Sequence, residues 1–283
     1  MNLIKSPLNY SGNKYRMLEE LLEVFGGGIS TFLDVFGGGG TVGVNVKATK
    51  IIYNDSISHI PRMYQAIQEL GAEKAFELVN GVVEEYELSK TNEKGFLKLR
   101  EDYNNGKNKW YHLYALITNS FNYQLRFNQS GGYNSSFGRN RSHFNPRLKK
   151  RFKLFSKRIN NLNIQFLNKD FRELDYSKIK KGDVVYLDPP YFLGNAVYQD
   201  SAKKGKNWSL QDDLDLFDIC DKLNEKGVKF VMSNVFRLKG KEHKTLIKWA
   251  GKYNTKFPKV QYLNCSYHKI DKETKDVEVI VYN

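Results

Sequence analysis

Residues 31–40 read Thr-Phe-Leu-Asp-Val-Phe-Gly-Gly-Gly-Gly, and this stretch decides the fold class. Its first five residues are mostly apolar and β-favouring, so they predict a buried strand. The glycines predict a tight turn that lets a ligand approach the backbone closely, and residues 42–47 are predicted to continue as a helix. A strand, a glycine-rich turn and a helix in this order are typical of the nucleotide crevice of an α/β sheet.

The next predicted strand, residues 50–54, ends at Asp55. In dinucleotide-binding folds a ribose-binding carboxylate follows the glycine-rich turn at a similar distance. A dinucleotide enzyme is therefore one interpretation, although the glycines do not follow the G-x-G-x-x-G spacing and no later motif indicates hydride chemistry. A methyltransferase is the other interpretation, because such enzymes use the same crevice for S-adenosylmethionine.

A second motif, Asp188-Pro189-Pro190-Tyr191, ends a strand predicted at residues 184–187. Proline fixes φ and has no N–H, so the carbonyls of Asp188 and Pro189 are expected to point outward without a ladder partner. A planar group with an exocyclic NH2 suits this turn, because the oxygens can accept its hydrogens and Tyr191 can stack on its ring. The alternative is a strand-ending turn with an incidental tyrosine.

The length and composition of the chain narrow the class of protein. Its 283 residues suffice for one large domain or for one domain with an insert. We find no run of about 18 apolar residues and no basic-then-apolar leader at residues 1–5, which predicts a soluble, unprocessed, cytoplasmic protein. Cys220 and Cys265 have neither a disulfide framework nor metal-ligand spacing, so no metal is predicted.

Nearly all of the net charge of +14 lies in one block. No acidic residue occurs between Asp102 and Asp170, whereas residues 103–169 contain 13 lysines and arginines. Such a block indicates binding to a polyanion. Aromatic residues are interleaved with the charges, which argues against a disordered tail. Nucleic acid is favoured over a membrane surface, and a merely solvated basic face is the alternative.

The basic block contains two candidate DNA-contact elements. Residues 125–141 include the hairpin-type turn Ser130-Gly-Gly-Tyr133, and a two-stranded ribbon can read base edges in the major groove. Residues 146–159 predict a basic helix suited to phosphate contacts. The arginines of the hairpin could instead touch only phosphates.

Other segments complete an alternating α/β pattern around a helical insert. Helices are predicted at 16–25, 57–70, 72–86, 96–103, 110–121, 212–225 and 242–249, and further strands at 164–167, 229–232, 261–264 and 277–282, the last two antiparallel. Residues 196–207 are predicted to form a lid or DNA-contact loop.

With these motifs in order, the whole chain resembles the Dam family of DNA adenine-N6 methyltransferases (D12 class), and within it the phage T4-type enzymes. The matching residues are Asn9-Tyr-Ser-Gly-Asn-Lys14, Asp34-Val-Phe-Gly-Gly38, Asn54-Asp55, Asp188-Pro-Pro-Tyr191 and Ser233-Asn-Val235. The sequence departs from the family in its four consecutive glycines and in Ser136, where relatives often have proline.

The resemblance implies an α/β fold: a Rossmann-like methyltransferase sheet with an inserted, mostly helical target-recognition domain that carries a β-hairpin. Residues 1–56 and 160–283 would form the catalytic domain, and residues 57–159 the recognition domain. The expected reaction is methyl transfer from S-adenosylmethionine to N6 of a flipped adenine, in double-stranded DNA and at GATC. A monomer is expected, in a bacterial or phage-infected cell, with a phage, restriction-modification or regulatory role.

The resemblance also assigns residues to roles. Catalysis would use Asp188, Pro189, Pro190 and Tyr191. Cofactor binding would use Tyr10, Lys14, Asp34, Phe36, Gly37, Gly38, Asp55, Asp170, Phe171 and Asp188. DNA binding would use Asn122, Arg126, Asn128, Arg139, Arg141, Lys149, Lys150 and Arg151. Two further readings stay open: a methyltransferase of this class with another DNA or RNA target, and a non-catalytic nucleic-acid-binding regulator.

Overall fold

The computed structural model describes residues 3–10, 12–194, 208–259 and 276–283. The predicted loop at 196–207, the predicted strand at 261–264 and Cys265 lie outside these ranges. Within them, the strands are β1 (Ile29–Asp34), β2 (Ala48–Asn54), β3 (Ile164–Leu167), β4 (Val184–Leu187), β5 (Lys229–Leu238), β6 (Lys241–Glu242), β7 (Asn254–Lys256) and β8 (Val277–Tyr282).

The strands form one sheet in the order β3-β2-β1-β4-β5-β8-β7, with β6 paired to β5. Strands β1 to β5 are mutually parallel, whereas β8 runs antiparallel to both β5 and β7. The predicted antiparallel closing strand at 277–282 is thereby confirmed. The chain leaves β1 for β2 on one side and later enters β4 on the other side. Ligands bind in open α/β sheets at such a switch point.

Eight α-helices occur in the described ranges: α1 (Leu18–Phe25), α2 (His59–Leu70), α3 (Ala72–Glu85), α4 (Glu93–Asn104), α5 (Trp110–Asn119), α6 (Pro146–Asn160), α7 (Leu210–Glu225) and α8 (Lys244–Ala250). Helices α1 to α6 share one continuous apolar core with one face of the sheet, and α7 and α8 cover the other face. None of the described helices has the length and apolar character needed to cross a membrane. Of the proposed boundaries of the recognition domain, residue 57 lies just before α2 and residue 159 lies in the last turn of α6.

The predicted helix at 42–47 was wrong, because these residues form irregular turns. Val42, Val44 and Val46 are buried β-branched residues, which disfavour a helix. The side chain of Asn45 donates to the carbonyls of Thr41 and Ile4 at 2.7 and 2.8 Å, so it competes with helical hydrogen bonding. The remaining predicted helices in the described ranges occur with small shifts of their ends.

The predicted hairpin at residues 125–141 does not contain two regular strands. Two isolated antiparallel bridges, Phe127 with Tyr133 and Ser120 with Phe137, hold it together. Its turn closes through Asn128 N, which donates to Gly132 O at 2.8 Å. The hairpin packs inward through Phe127 and Tyr133, both of which are buried.

Candidate active site

The glycine-rich turn after β1 packs closely against aromatic side chains. A Cβ on Gly37 would lie 2.1 Å from the ring of Tyr53, and a Cβ on Gly38 would lie 2.8 Å from that of Tyr10. Gly38 also has a φ of +48°, which favours glycine. Tyr53 and Tyr64 donate their hydroxyl protons to the carbonyls of Gly38 and Gly39, at 2.6 and 2.9 Å. The turn is therefore rigidly held despite its four consecutive glycines.

Asn54 and Asp55, at the end of β2, form hydrogen bonds that hold this turn against the adjacent strand ends. Asp55 accepts from the backbone N–H groups of Gly38 and Ile57, both at 2.8 Å. Asn54 donates its amide protons to the carbonyls of Val35 and Lys169, at 2.9 and 3.1 Å, and so ties the ends of β1, β2 and β3 together. Asp55 thus holds the glycine-rich turn in place, and it also lines the crevice that this turn borders.

Lys14 faces the catalytic turn across the crevice. Its Nζ lies 2.7 Å from Asp188 Oδ2 in a largely buried ion pair, and it donates to Gly12 O at 2.9 Å. The same ammonium lies 5.5 Å from the centre of the Tyr191 ring. These contacts give Lys14 a partner at a helix start, where the backbone dipole disfavours a cation.

Two carboxyl groups in the crevice are perturbed by their surroundings. Burial raises the pKa of Asp34 well above its usual range, and the charges of Asp188 and Asp55 raise it further. The backbone N–H of Gly43 opposes this rise, but neither carboxyl oxygen of Asp34 makes a hydrogen bond of normal geometry with the described residues. Burial also raises the pKa of Asp188, but the charge of Lys14 opposes this rise.

An aromatic wall closes the other end of the crevice. The rings of Phe36, Phe171 and Trp208 lie in mutual contact, with centroids 5.5 to 5.6 Å apart. Trp208 is held by its indole N–H, which donates to Asp213 at 2.8 Å, and Asp213 contacts His243 at 2.7 Å. No sequence motif marks Trp208. Its only local signal is an aromatic residue next to Ser209, the N-cap of α7.

The structure brings every predicted catalytic and cofactor residue to one crevice of about 760 Å³. Glu278 and Tyr186, which the sequence did not mark, also line it. Tyr186 shares a hydrogen bond of 2.9 Å with Ser233, the first residue of the Ser-Asn-Val motif in β5. The carboxyl groups of Asp34, Asp55 and Asp188, the ammonium of Lys14, the glycine-rich turn and the aromatic wall therefore border one crevice.

The predicted DNA residues fall on two surfaces outside the lining of the crevice. On the hairpin, Arg126 donates to Asn134 at 3.0 Å, and Asn128 accepts from Gly132 N at 2.7 Å within the turn. Arg139 pairs with the exposed Glu93, and Arg141 stacks over Phe121 at 5.0 Å. Asn128 is thus engaged in closing the turn, whereas the guanidinium groups stay near the surface.

Asn122 and helix α6 form the second surface. Asn122 has a positive φ of +54°, and its carbonyl accepts from Asn9 at 3.3 Å, at the rim of the crevice. On α6, Lys149 donates to Asn80 at 2.8 Å, Lys150 is exposed, and Arg151 lies beside a smaller cavity.

Comparison with known proteins identifies the family of this chain. A model of the D12 class N6 adenine-specific DNA methyltransferases matches residues 10–275. The chain belongs to this family. The match covers the glycine-rich turn, the helical insert and the Asp188-Pro-Pro-Tyr191 motif.

Individual D12-related proteins agree with this membership. The chain is 40% identical over 279 residues to the type II methyltransferase M.FokI of Planomicrobium okeanokoites, and 38% identical over 283 residues to the modification methylase StsI of Streptococcus sanguinis. Each alignment covers 99% of this chain but 43% of the relative. A DNA adenine methylase of Vibrio cholerae is 22% identical over 231 residues, 80% of either chain. The chain thus spans less than half the length of the first two relatives.

Proposed function

We propose that this D12-family chain transfers a methyl group from S-adenosylmethionine to N6 of an adenine in double-stranded DNA. The observation that carries this proposal is the opening of the Asp188-Pro-Pro-Tyr191 turn onto the same crevice as the glycine-rich turn. A noncatalytic regulator would not need these two turns to border the same crevice. The modification methylases among its relatives favour a restriction-modification role.

The residues of the crevice fit S-adenosylmethionine. The two buried carboxyl oxygens of Asp34 make no hydrogen bond of normal geometry with the described residues, and a cationic ligand would favour the charged form of this group. The backbone at Gly37 and Gly38 permits close approach, Asp55 lies where it can accept from ribose hydroxyls, and Phe36 and Phe171 can pack against the adenine ring of the cofactor.

S-adenosylmethionine supplies an electrophilic methyl group on its sulfonium when bound. The target adenine must leave the base stack to reach the catalytic turn. We propose that Asp188 and the carbonyl of Pro189 accept hydrogen bonds from its N6, while Tyr191 stacks on its ring. These acceptors stabilise the positive charge that develops as the nitrogen lone pair attacks. Lys14 opposes the rise of the Asp188 pKa and so favours the ionised carboxylate, which is the stronger hydrogen-bond acceptor.

Sequencing of modified adenines tests the function directly. The chain would be expressed in a host without adenine methylation, with an Asp188→Asn variant as the slowed control and a host without the gene as the blank. We expect N6-methyladenine at one short motif, for which GATC is the specific proposal. Methylation at another motif would contradict GATC alone, and methylation confined to RNA would support the alternative substrate. Absence of methyl transfer to any nucleic acid by the folded protein would contradict the proposed enzyme. A cytoplasmic, monomeric protein remains a prediction.

Replacing Lys14 is expected to shift the pH dependence of methyl transfer. The reaction needs ionised Asp188, so the rate falls as the pH falls through the pKa of this carboxyl group. Lys14 opposes the rise of that pKa, and Lys14→Met should therefore move the acidic limb of the profile to higher pH. Measurement of kcat against pH checks this, with Lys14→Arg as the charge-preserving control. An acidic limb that stays in place in Lys14→Met would show that Asp188 does not set it.

Arginines of the hairpin are proposed to read the target sequence. Arg139 is the first candidate guanine reader and Arg141 the second, with Arg126 on the same surface. Glu93 holds Arg139 on the protein surface, and an exposed pair of this kind is readily exchanged for a base contact. Arg139→Ala should lose about 1–3 kcal/mol on the cognate site and lose discrimination at one base pair.

A binding panel of single-base-pair variants of the site checks this prediction. Glu93→Ala is the matched control, because it releases Arg139 without removing it. If both Arg126→Ala and Arg139→Ala weaken cognate and noncognate DNA equally, the arginines contact phosphates and the reader lies elsewhere in residues 90–160.

A further inference from the structure

Helix α6 carries its cations on two faces that differ in their surroundings. Lys149 donates to Asn80, and Lys153 and Lys157 lie 3.8 and 3.2 Å from Glu73, so this face is directed toward α3. Arg147 and Arg151 are one turn apart on another face. Neither forms an ion pair with a residue in the described part of the chain. The charges of α6 are therefore not equivalent, although the sequence shows them as one basic run.

Arg147 and Arg151 line a cavity of about 210 Å³ between α6 and the N-terminal segment. The same cavity is lined by Asn9 and Tyr123. Asn9 also lines the large crevice, and its side chain donates to Asn122 at the rim. The small cavity, named here the Arg147–Arg151 pocket, thus adjoins the entrance through which a nucleotide would reach Asp188.

The charged groups around this pocket repel one another. The pKa of Lys5 is lowered first by partial burial and then by the charges of Arg151, Arg147 and Arg16. The pKa of Arg151 is lowered by burial and by Arg147. A cluster of cations held together in this way favours an anion, because the anion relieves their repulsion. Lys5 is kept in place over the ring of Tyr15, at 4.3 Å.

We propose that the Arg147–Arg151 pocket binds one backbone phosphate of the DNA, beside the nucleotide that enters the crevice. This inference rests on the proposed function. Guanidinium groups match phosphate oxygens through paired hydrogen bonds. A base that reaches Asp188 leaves its own sugar-phosphate backbone at the rim, where Asn9 separates the crevice from the pocket. The pocket would therefore hold the strand while the base is extruded.

The salt dependence of DNA binding tests the pocket. Affinity for a fluorescent duplex would be measured between about 50 and 200 mM salt for an Arg147→Gln/Arg151→Gln variant. Loss of one phosphate contact should reduce the slope of log K against log salt by about 1, on cognate and noncognate DNA alike. Arg147→Lys/Arg151→Lys should restore the slope but not the full affinity, because lysine cannot bind bidentately.

Lys153→Gln/Lys157→Gln is the matched control, since it removes two cations from the other face of the same helix. These lysines already lie beside Glu73, so the slope should stay near that of the unchanged protein. Thermal unfolding would verify that all variants fold. An unchanged slope in the arginine variant, or an equal loss in the lysine variant, would overturn the inference.

Failure of the pocket can be distinguished from failure of the proposed function. If the unchanged protein methylates adenine in DNA while the arginine variant keeps its slope, only the pocket inference fails. If the slope changes as expected but no adenine is methylated, the pocket stands as a nucleic-acid site and the enzyme proposal fails.

Discussion

Replacement of Asp188 with asparagine should slow methyl transfer by about 10²- to 10³-fold, the cost of losing one preorganised group that stabilises developing charge. The asparagine amide offers one acceptor and two donors, and it lacks the charge that complements Lys14, 2.7 Å away. Single-turnover transfer of labelled methyl groups to duplex DNA measures the chemical step. DNA affinity should change little, because Asp188 lies inside the crevice and apart from the basic surfaces.

The control for this variant is Asp218→Asn, the same change at an exposed position of α7 that pairs with Lys222. Its turnover should match that of the unchanged protein. Cofactor titration by calorimetry separates a chemical defect from weaker binding, since Asp188 also borders the cofactor crevice. Near-native single-turnover rates in Asp188→Asn would refute the proposed role of the carboxylate.

Replacement of Asp55 with alanine is expected to reduce cofactor affinity by about ten- to a hundredfold, since a charged hydrogen bond contributes about 1.5–3 kcal/mol. The structure adds a second cause, because Asp55 also accepts from the N–H groups of Gly38 and Ile57. Removing the carboxylate therefore loosens the glycine-rich turn as well as deleting the ribose acceptor. Isothermal calorimetry with S-adenosylmethionine measures the loss.

Asp175→Ala is a suitable comparison for Asp55→Ala, because Asp175 similarly accepts from a backbone N–H, that of Ser177, but lies outside the crevice. It should leave cofactor affinity unchanged. Thermal unfolding without cofactor reports how much the turn depends on Asp55. Unaltered affinity in Asp55→Ala would remove this residue from the cofactor site.

The candidate site was predictable from sequence because its signals are local. Strand 184–187 stops where two prolines remove backbone donors, and the first strand runs into glycines that only a tight turn explains. Parallel strands present their carboxyl ends at one edge of the sheet, so Asp34, Asp55 and Asp188 had to approach one another once the strand order was right. Local chemistry and this rule of topology together account for the crevice.

Other expectations depended on contacts that no local pattern encodes. Residues 42–47 follow the glycine-rich turn as a helix would, yet burial of three valines and the long-range bond from Asn45 to Ile4 favour irregular turns. Trp208 is held in the aromatic wall by Asp213 of α7, which accepts from its indole N–H and in turn contacts His243 beside α8.

The sequence by itself therefore determined the class of fold, the order of the motifs and the predicted catalytic and cofactor residues that meet at the crevice. Only the tertiary structure decided which charged side chains form ion pairs with one another. It paired Lys14 with Asp188 and Arg139 with Glu93, and it placed Glu73 beside Lys153 and Lys157 while leaving Arg147 and Arg151 beside a cavity. The physical reason is that strand and turn propensities act over a few neighbouring residues, whereas an ion pair depends on which distant segments pack together.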